Sequence, residues 1–347
     1  MVLQSLMVKL LSFLLLLVLF GLSPVHSEVS PGAMSIPDSG SGYEAVPQSH
    51  LESQSQIASV PRDESESESE VDDDYYEFIE EWHRNRIEIL KSEQGWLRLV
   101  GLHWLNEGEQ SFGSSDRVRI RFPEGSIPEF AGIFKLKADT VIMQVAGNID
   151  IRDQRGRRMR DDVIYTPDLR HELRYRSLTW FVVRRDDEFG IRLFDDNSPY
   201  LTHFNGIERY DVDSNWRIEA DFTPGDEGAS MKIENVLGQL VDWELAGTLT
   251  FSFDDGDVEI LALGTSDRLF IPFADATSGS ETYTLGRYVY IDRPEPGEPA
   301  IIDFNVSYNP PCAINPYTSC PLPPQENRLD FPIRAGEKNY KMYSEED

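Results

Sequence analysis

TLTFSF (residues 248–253), DDGD (254–257) and VEILAL (258–263) follow one another without a break. The first run alternates polar and apolar residues, the period of a strand with one face buried. The second is rich in aliphatic residues at strand length. Asp-Gly between them is the chemistry of a tight hairpin turn. The same texture extends upstream in VRIRF (118–122), IFKL (133–136), TWFVV (179–183) and IRLF (191–194), with turn residues roughly every ten positions. Short strands so spaced predict a mostly β fold, a β-sandwich or a partly open barrel, extending to two packed β subdomains. A boundary is expected near Asp195–Pro199 or near Pro224-Gly225. Neither βαβ alternation nor an internal repeat is visible.

One helix is expected, at the N-terminal edge of this region. Asp72-Asp73-Asp74 can cap free amides and suit the dipole of a helix start. Phe78, Ile79, Trp82, Arg86, Ile89 and Leu90 then recur at helical spacing. The helix should run to about Glu93 and stop before Gly95.

Before the helix the composition changes twice. Leu10 to Leu22 reads LLSFLLLLVLFGL, a run of 13 residues after Lys9, followed by Pro24 and then Val25-His26-Ser27. This is the layout of a secretory signal peptide over residues 1–27, too short for the roughly 20 residues of a spanning helix. Secretion, with no stable membrane association after cleavage, is the expectation, and an uncleaved anchor is the alternative. Residues 28–71 are rich in Ser, Glu, Pro and Gly and end in the repeat Ser65-Glu66-Ser67-Glu68-Ser69-Glu70. Such a segment buries too little apolar area to offset its ordering entropy, and reads as a disordered acidic linker. Residues 72–347 remain as the β-rich globular domain.

The chain has 61 acidic and 32 basic residues among 347, a formal net charge of −29. Residues 28–71 hold nine of the acids and one base, Arg62, so most of the excess belongs to the globular region. A surface this negative argues against nucleic acid as a partner, because phosphates need Lys and Arg. It also disfavours anionic membrane surfaces.

The usual catalytic and cofactor signatures are absent: no G-x-S-x-G, H-E-x-x-H, P-loop or G-x-G-x-x-G. Asp211-x-Asp213-x-Asn215 starts like a calcium loop, but Trp216 stands where Gly is needed and Phe222 where Glu is needed. It reads as a polar turn. No cofactor and no metal are expected, and the sequence leaves open whether the protein is an enzyme.

Polar residues are densest near the C-terminus. FADATSG (273–279) precedes TYTLGRY (282–288), and IDFN (302–305) precedes YNPPCA (308–313). CPLPP (320–324), ENRL (326–329) and AGEK (335–338) follow. These strings resemble the C-terminal signature of the domain of unknown function 1684 family. Upstream, GWL (95–97), GLHWL (101–105) and GE-x-x-FGS (108–114) resemble its N-terminal signature. The resemblance spans roughly residues 75–340 and implies a fold family without an activity to carry over.

Read as a strand, Tyr283, Leu285, Arg287, Val289 and Ile291 share one face. Arg287 then points inward among hydrophobes and must be paired, with Asp275 or with Asp303. Asp303 and Asn305 share a face of the next strand. Together Asp275, Tyr283, Arg287, Asp303, Asn305, Tyr308, Asn309, Glu326, Asn327 and Lys338 are too polar for a pure core and could form the mouth of a barrel or sandwich. Three readings follow. The first is a binding module for a small polar or sugar-like ligand in this cluster. The second is a hydrolase using paired carboxylates, Asp275 or Asp303 with Glu326 or Glu337. The third is a structural protein whose cluster is a closed network.

Cys312 and Cys320 are the only cysteines. In a secretory compartment a disulfide is the natural reading, with a zinc pair or a redox pair as alternatives. Asn305-Val306-Ser307 is a glycosylation sequon, expected to stay unused if its strand is buried. His103 reads as a packing residue, and Glu337 with Lys338 as an ion pair.

Overall fold

The computed structural model describes residues 68–344, apart from 186, 255, 265 and 266. The expectations for residues 1–67 lie outside the described residues. Helix α1 (Glu68–Lys91) starts ahead of Asp72 and stops just short of Glu93. Its stripe is as the spacing implies: Ile79, Trp82, Arg86 and Leu90 are buried. Among the described residues no helix is long and apolar enough to cross a membrane.

The strands follow in two groups. The first comprises β1 (Leu99–Trp104), β2 (Gly108–Gly113), β3 (Ile120–Arg121), β4 (Gly132–Lys137), β5 (Thr140–Val145), β6 (Arg152–Asp153), β7 (Asp161–Thr166), β8 (Leu169–Arg170), β9 (Leu173–Tyr175), β10 (Leu178–Arg185) and β11 (Glu188–Asp195). They form a five-stranded sheet ordered β1-β11-β10-β9-β6 and a six-stranded sheet ordered β3-β2-β4-β5-β7-β8. The inner faces meet in one apolar core. Phe112 stacks on Phe134 at 4.2 Å, and Phe122 meets Trp180 edge-on at 5.3 Å between ring centroids. Full burial of each Phe is worth on the order of 2–3 kcal/mol. β11 is buried along almost its whole length. Its second face meets Trp96: Phe194 packs in the same cluster, and Arg192 lies over the Trp96 ring at 5.7 Å.

A short turn α2 (Pro199–Thr202) leads to the second group. This contains β12 (Arg217–Pro224), β13 (Ser230–Glu234), β14 (Leu240–Phe253), β15 (Gly256–Leu263), β16 (Arg268–Phe273), β17 (Arg287–Asp292) and β18 (Ala300–Asp303). The order is β17-β16-β15-β14-β12-β18, with β13 on the first half of β14. β17 and β18 lie against each other, so the sheet nearly closes into a barrel. It wraps a core of its own that includes Leu249, Phe251, Ile260, Leu269, Ile271, Phe273, Val289, Ile302 and Phe304.

The fold is thus mostly β with one N-terminal helix, and it combines a sandwich with a barrel. β14 and β15 form the expected hairpin, with Phe253 paired to Gly256. A bulge between Leu245 and Gly247 lets the long β14 serve β13 first and β12 afterwards. A Cβ at Gly247 would lie 2.3 Å from the Thr223 carbonyl oxygen. VRIRF contributes only the two residues of β3.

Candidate functional site

The C-terminal candidates sit around the barrel and a strap, residues 333–338, that runs across it. Arg287 opens β17 opposite Phe273 and is fully buried on the inner side. Its Nη2 lies 3.4 Å from Asp275 Oδ1 and donates to the Ile333 carbonyl at 2.7 Å. Its Nη1 donates to the carbonyls of Ala335 and Glu337. One guanidinium therefore holds alternate carbonyls of the strap. The pairing with Asp275 is one of the two expected. Burial pulls the Arg287 guanidinium below its ordinary value, and the Asp275 charge opposes this.

Asp275 lies just beyond β16. It accepts hydrogen bonds from the Thr277 hydroxyl at 3.0 and 2.9 Å and from the Ile333 amide at 2.6 Å. The strand expected from Tyr283 starts only at Arg287. The preceding residues are a turn closed by Gly286 N–H on the Tyr283 carbonyl, and Leu285 is exposed. The inward position of Arg287 comes from its pairing with Phe273.

Asp303 and Asn305 do not share a strand. β18 ends at Asp303, whose side chain caps the 3-10 turn Phe304–Val306 through the Asn305 amide at 2.9 Å. They still come together. Tyr75 of α1 donates its hydroxyl to Asp303 Oδ2 at 2.8 Å, and Asn305 Nδ2 donates to the Tyr75 hydroxyl, to Asp303 Oδ1 and to the Asp213 carbonyl. This buried amide has no room for a glycan. Asp213 caps its own 3-10 turn, Ser214–Trp216.

Burial pushes the Asp303 carboxyl above its ordinary value, outweighing the hydrogen bonds from Tyr75 and Asn305 that pull it down. An acid raised in the folded state contributes stability that is fully present below its unfolded value of about 3.9. That contribution is lost as pH rises through the folded value. Asp303→Asn is therefore expected to raise the midpoint temperature at pH 7, with the gain shrinking towards pH 4. Thermal unfolding at both pH values tests this, and a lower midpoint at pH 7 would contradict it.

Glu337 does not pair with Lys338. Its Oε1 accepts from Arg86 Nε at 3.2 Å and its Oε2 from the Asn309 amide at 2.7 Å, all buried. Arg86 also donates to the Asn309 carbonyl at 3.0 Å and lies over the Tyr308 ring at 4.5 Å. Lys338 stands over the Tyr210 ring at 4.9 Å instead. Asn309 Nδ2 donates to the Lys338 carbonyl. Asn327 bridges β15 and β16, which share a single ladder pair: its amide exchanges hydrogen bonds with Leu261 and donates to the Pro272 carbonyl. Glu326 is exposed. Burial pulls the His103 imidazole below its ordinary value.

Apart from exposed Glu326 and the part-buried Tyr283 and Lys338, the ten candidates therefore fall into separate buried networks. Asp275, Asp303 and Glu337 have both oxygens occupied, so none offers a free face to a substrate proton. Among the described residues no group of three or more His, Cys, Asp or Glu side chains is gathered as a metal ion would require.

The disulfide is a correction. Cys312 and Cys320 are free thiols. The turn α3 (Pro311–Ile314) aims the Cys312 amide at Cys320 Sγ, 3.0 Å away. Burial, with the Cys312 sulfur nearby, pushes the Tyr283 hydroxyl up.

A cleft lies elsewhere, on the sandwich. It has a volume of about 560 Å³ and is lined by Asp150, Arg152, Asp153, Gln154, Gly156, Arg174, Tyr175 and Arg176. β6 is the edge strand of the five-stranded sheet, and Arg152 is directly opposite Arg174 on β9. On its other side Arg152 is bridged to Arg158. Three arginines thus stand in register on one face. Asp150 binds Arg152 Nη2 at 3.0 Å and Arg158 Nε at 3.4 Å, while Glu172 and Glu93 hold Arg174. Arg176 lies over the Tyr175 ring at 5.1 Å and takes a positive φ of 54°. Beneath the row, buried Asp153 fixes the loop. Burial pushes its carboxyl up, but the amides of Arg157 and Arg155 and the Arg157 guanidinium outweigh this and bring it below its ordinary value. The sequence reading missed this site, although DIRDQRGRRMR (150–160) places five arginines in an otherwise acidic chain.

Residues 202–338 match the model of the family described as Protein of unknown function (DUF1684). The cleft lies outside that segment. The uncharacterized protein from gene locus rrnAC0354 of Haloarcula marismortui, solved by solution NMR, is similar at 33% identity over 40% of this chain and 78% of that one, with a TM-score of 0.34. No curated protein matches the chain. Through residues 202–338, the barrel and its strap, the chain belongs to the DUF1684 family.

Proposed function

We propose that the protein is a secreted binding module for a small sugar-like ligand bearing a carboxylate, held at the arginine row of the sandwich. The observation that supports this is the register of Arg152 on β6 with Arg174 on β9 and, through an isolated bridge, with Arg158, beside Tyr175 and Arg176. A carboxylate across the row would gain charge-assisted hydrogen bonds by competing with Asp150, Glu172 and Glu93 for these guanidiniums. Gln154 and Asp150 supply the acceptors and the amide that hydroxyl groups need, and Tyr175 supplies an apolar surface.

Glucuronate at 100 times its dissociation constant should stabilise the full chain by about 2.7 kcal/mol. Arg152→Ala with Arg174→Ala should abolish that shift while leaving the basal midpoint nearly unchanged, because both side chains are half exposed. A thermal-shift titration with glucose as the neutral control decides. Equal responses to both sugars, or a response that survives the double substitution, would end the proposal. The closed networks around Arg287 and Glu337 favour a second reading, a structural protein without a ligand, which silence of both titrations would leave standing.

A further inference from the structure

The guanidiniums of the cleft differ in what already holds them. Arg152 and Arg158 share Asp150, and Arg174 is held by Glu172 and Glu93. A ligand carboxylate at any of these three exchanges one carboxylate for another. Arg176 lines the same cleft, yet its guanidinium makes neither a hydrogen bond nor an ion pair with any described residue. What fixes it is the Tyr175 ring, whose centroid lies 5.1 Å away. A guanidinium over a ring face keeps its in-plane N–H groups for the two oxygens of a carboxylate. Arg176 is therefore oriented beforehand and has no internal acid to release.

The backbone decides where Arg176 stands. Tyr175 pairs with Leu178, so Arg176 and Ser177 are the two-residue turn between β9 and β10. Arg176 takes a φ of 54° at the first position of that turn. Ala138 at 48° and Asp254 at 51° do the same in the turns between β4 and β5 and between β14 and β15. Positive φ here is a demand of the hairpin, and glycine meets it without strain. The turn itself thus has no need of an arginine side chain. Resting on the binding reading above, we propose that Arg176 is the specificity-determining residue of the cleft. It clamps the carboxylate of the ligand beside the arginine row and so selects acidic sugars over neutral ones.

Calorimetric titration of the full chain with glucuronate tests this. Arg176→Gly should weaken binding at least about tenfold, the loss expected for a charged hydrogen-bonding partner. The midpoint temperature of the ligand-free protein should stay level or rise, because glycine suits the turn. Arg176→Gln, which keeps a neutral side chain at the same φ, should lose as much affinity. If the unaltered chain binds glucuronate and both variants bind it with less than a tenfold loss, the proposal is overturned and the cleft reading stands. If the unaltered chain does not bind glucuronate, both fall together. A lower ligand-free midpoint in both variants would make Arg176 a structural residue and overturn the proposal as well.

Discussion

Arg287→Ala is expected to destabilise the protein by about 3–5 kcal/mol, the usual cost of leaving one buried partner of an ion pair uncompensated. The substitution strands Asp275, which is 6% exposed and cannot recover solvation from water. It also removes the donors that hold the carbonyls of Ile333, Ala335 and Glu337. Each buried acceptor left unmatched adds on the order of 1–3 kcal/mol. The loss should therefore appear both as a lower urea midpoint and as earlier proteolytic cleavage within the strap, residues 333–338. Arg287→Lys keeps the charge but replaces a planar fork by a point donor, which cannot meet Asp275 and three carbonyls at once. It should lose less than Arg287→Ala and still more than about 1 kcal/mol. A chain indifferent to Arg287→Ala would mean that the strap is held by something else.

Glu337→Ala ranks beside it. Glu337 is 1% exposed and joins α1 to the strap through Arg86, while its second oxygen receives the Asn309 amide. Truncating it leaves a buried guanidinium facing an empty site and orphans an amide. The expected cost is again about 3–5 kcal/mol. Arg86→Met alone should cost a similar amount. Combining Arg86→Met with Glu337→Ala should cost clearly less than the sum, because the second change removes a charge that the first has already unpaired. Urea denaturation of the three variants gives the coupling energy. Additive losses would show that the two side chains do not act as a pair.

The strap reaches these partners because residue 336 is glycine. Gly336 has φ of 75°, and a Cβ there would lie 2.2 Å from Ser307 Oγ and 2.4 Å from the Ser307 carbonyl oxygen. Close passage puts the Glu337 amide on the Ser307 carbonyl at 2.9 Å and the Gly336 carbonyl on the Tyr210 amide at 3.0 Å. Nothing in the string AGEK by itself indicates which backbone it will pass.

Legibility differed by the range of the interaction. Arg86 was readable as a member of the buried stripe of α1, since period 3.6 is a property of the local chain. Arg287 was readable as an inward residue because Val289 and Ile291, two and four positions on, share its face and are buried. Its partner was narrowed to two carboxylates, and Asp275 is the one that meets it. Glu337 was matched to its sequence neighbour Lys338, whereas its partner lies 251 positions away in α1. The alternation from Tyr283 continues through a turn that Gly286 closes, so the strand itself begins only at Arg287. Pairing two cysteines from an expected oxidising compartment is a chemical argument that carries no information about sulfur geometry.

The arginine row shows the same divide from the other side. Five arginines between 152 and 160 are plain in the sequence. Their alignment with Arg174 depends on the antiparallel register of β6 and β9, and register is a long-range choice. Periodicity, turn chemistry and composition, all properties of neighbours along the chain, were enough for the mostly β class, the N-terminal helix, the central hairpin and the burial of Arg86 and Arg287. Which carboxylate each guanidinium meets, which thiol stays accessible and which arginines line up were decided only when distant segments packed. Those outcomes rest on contacts between segments from 12 positions apart, for Arg287 and Asp275, to 251 apart, for Arg86 and Glu337, where one step of register or one glycine-sized gap changes the partner.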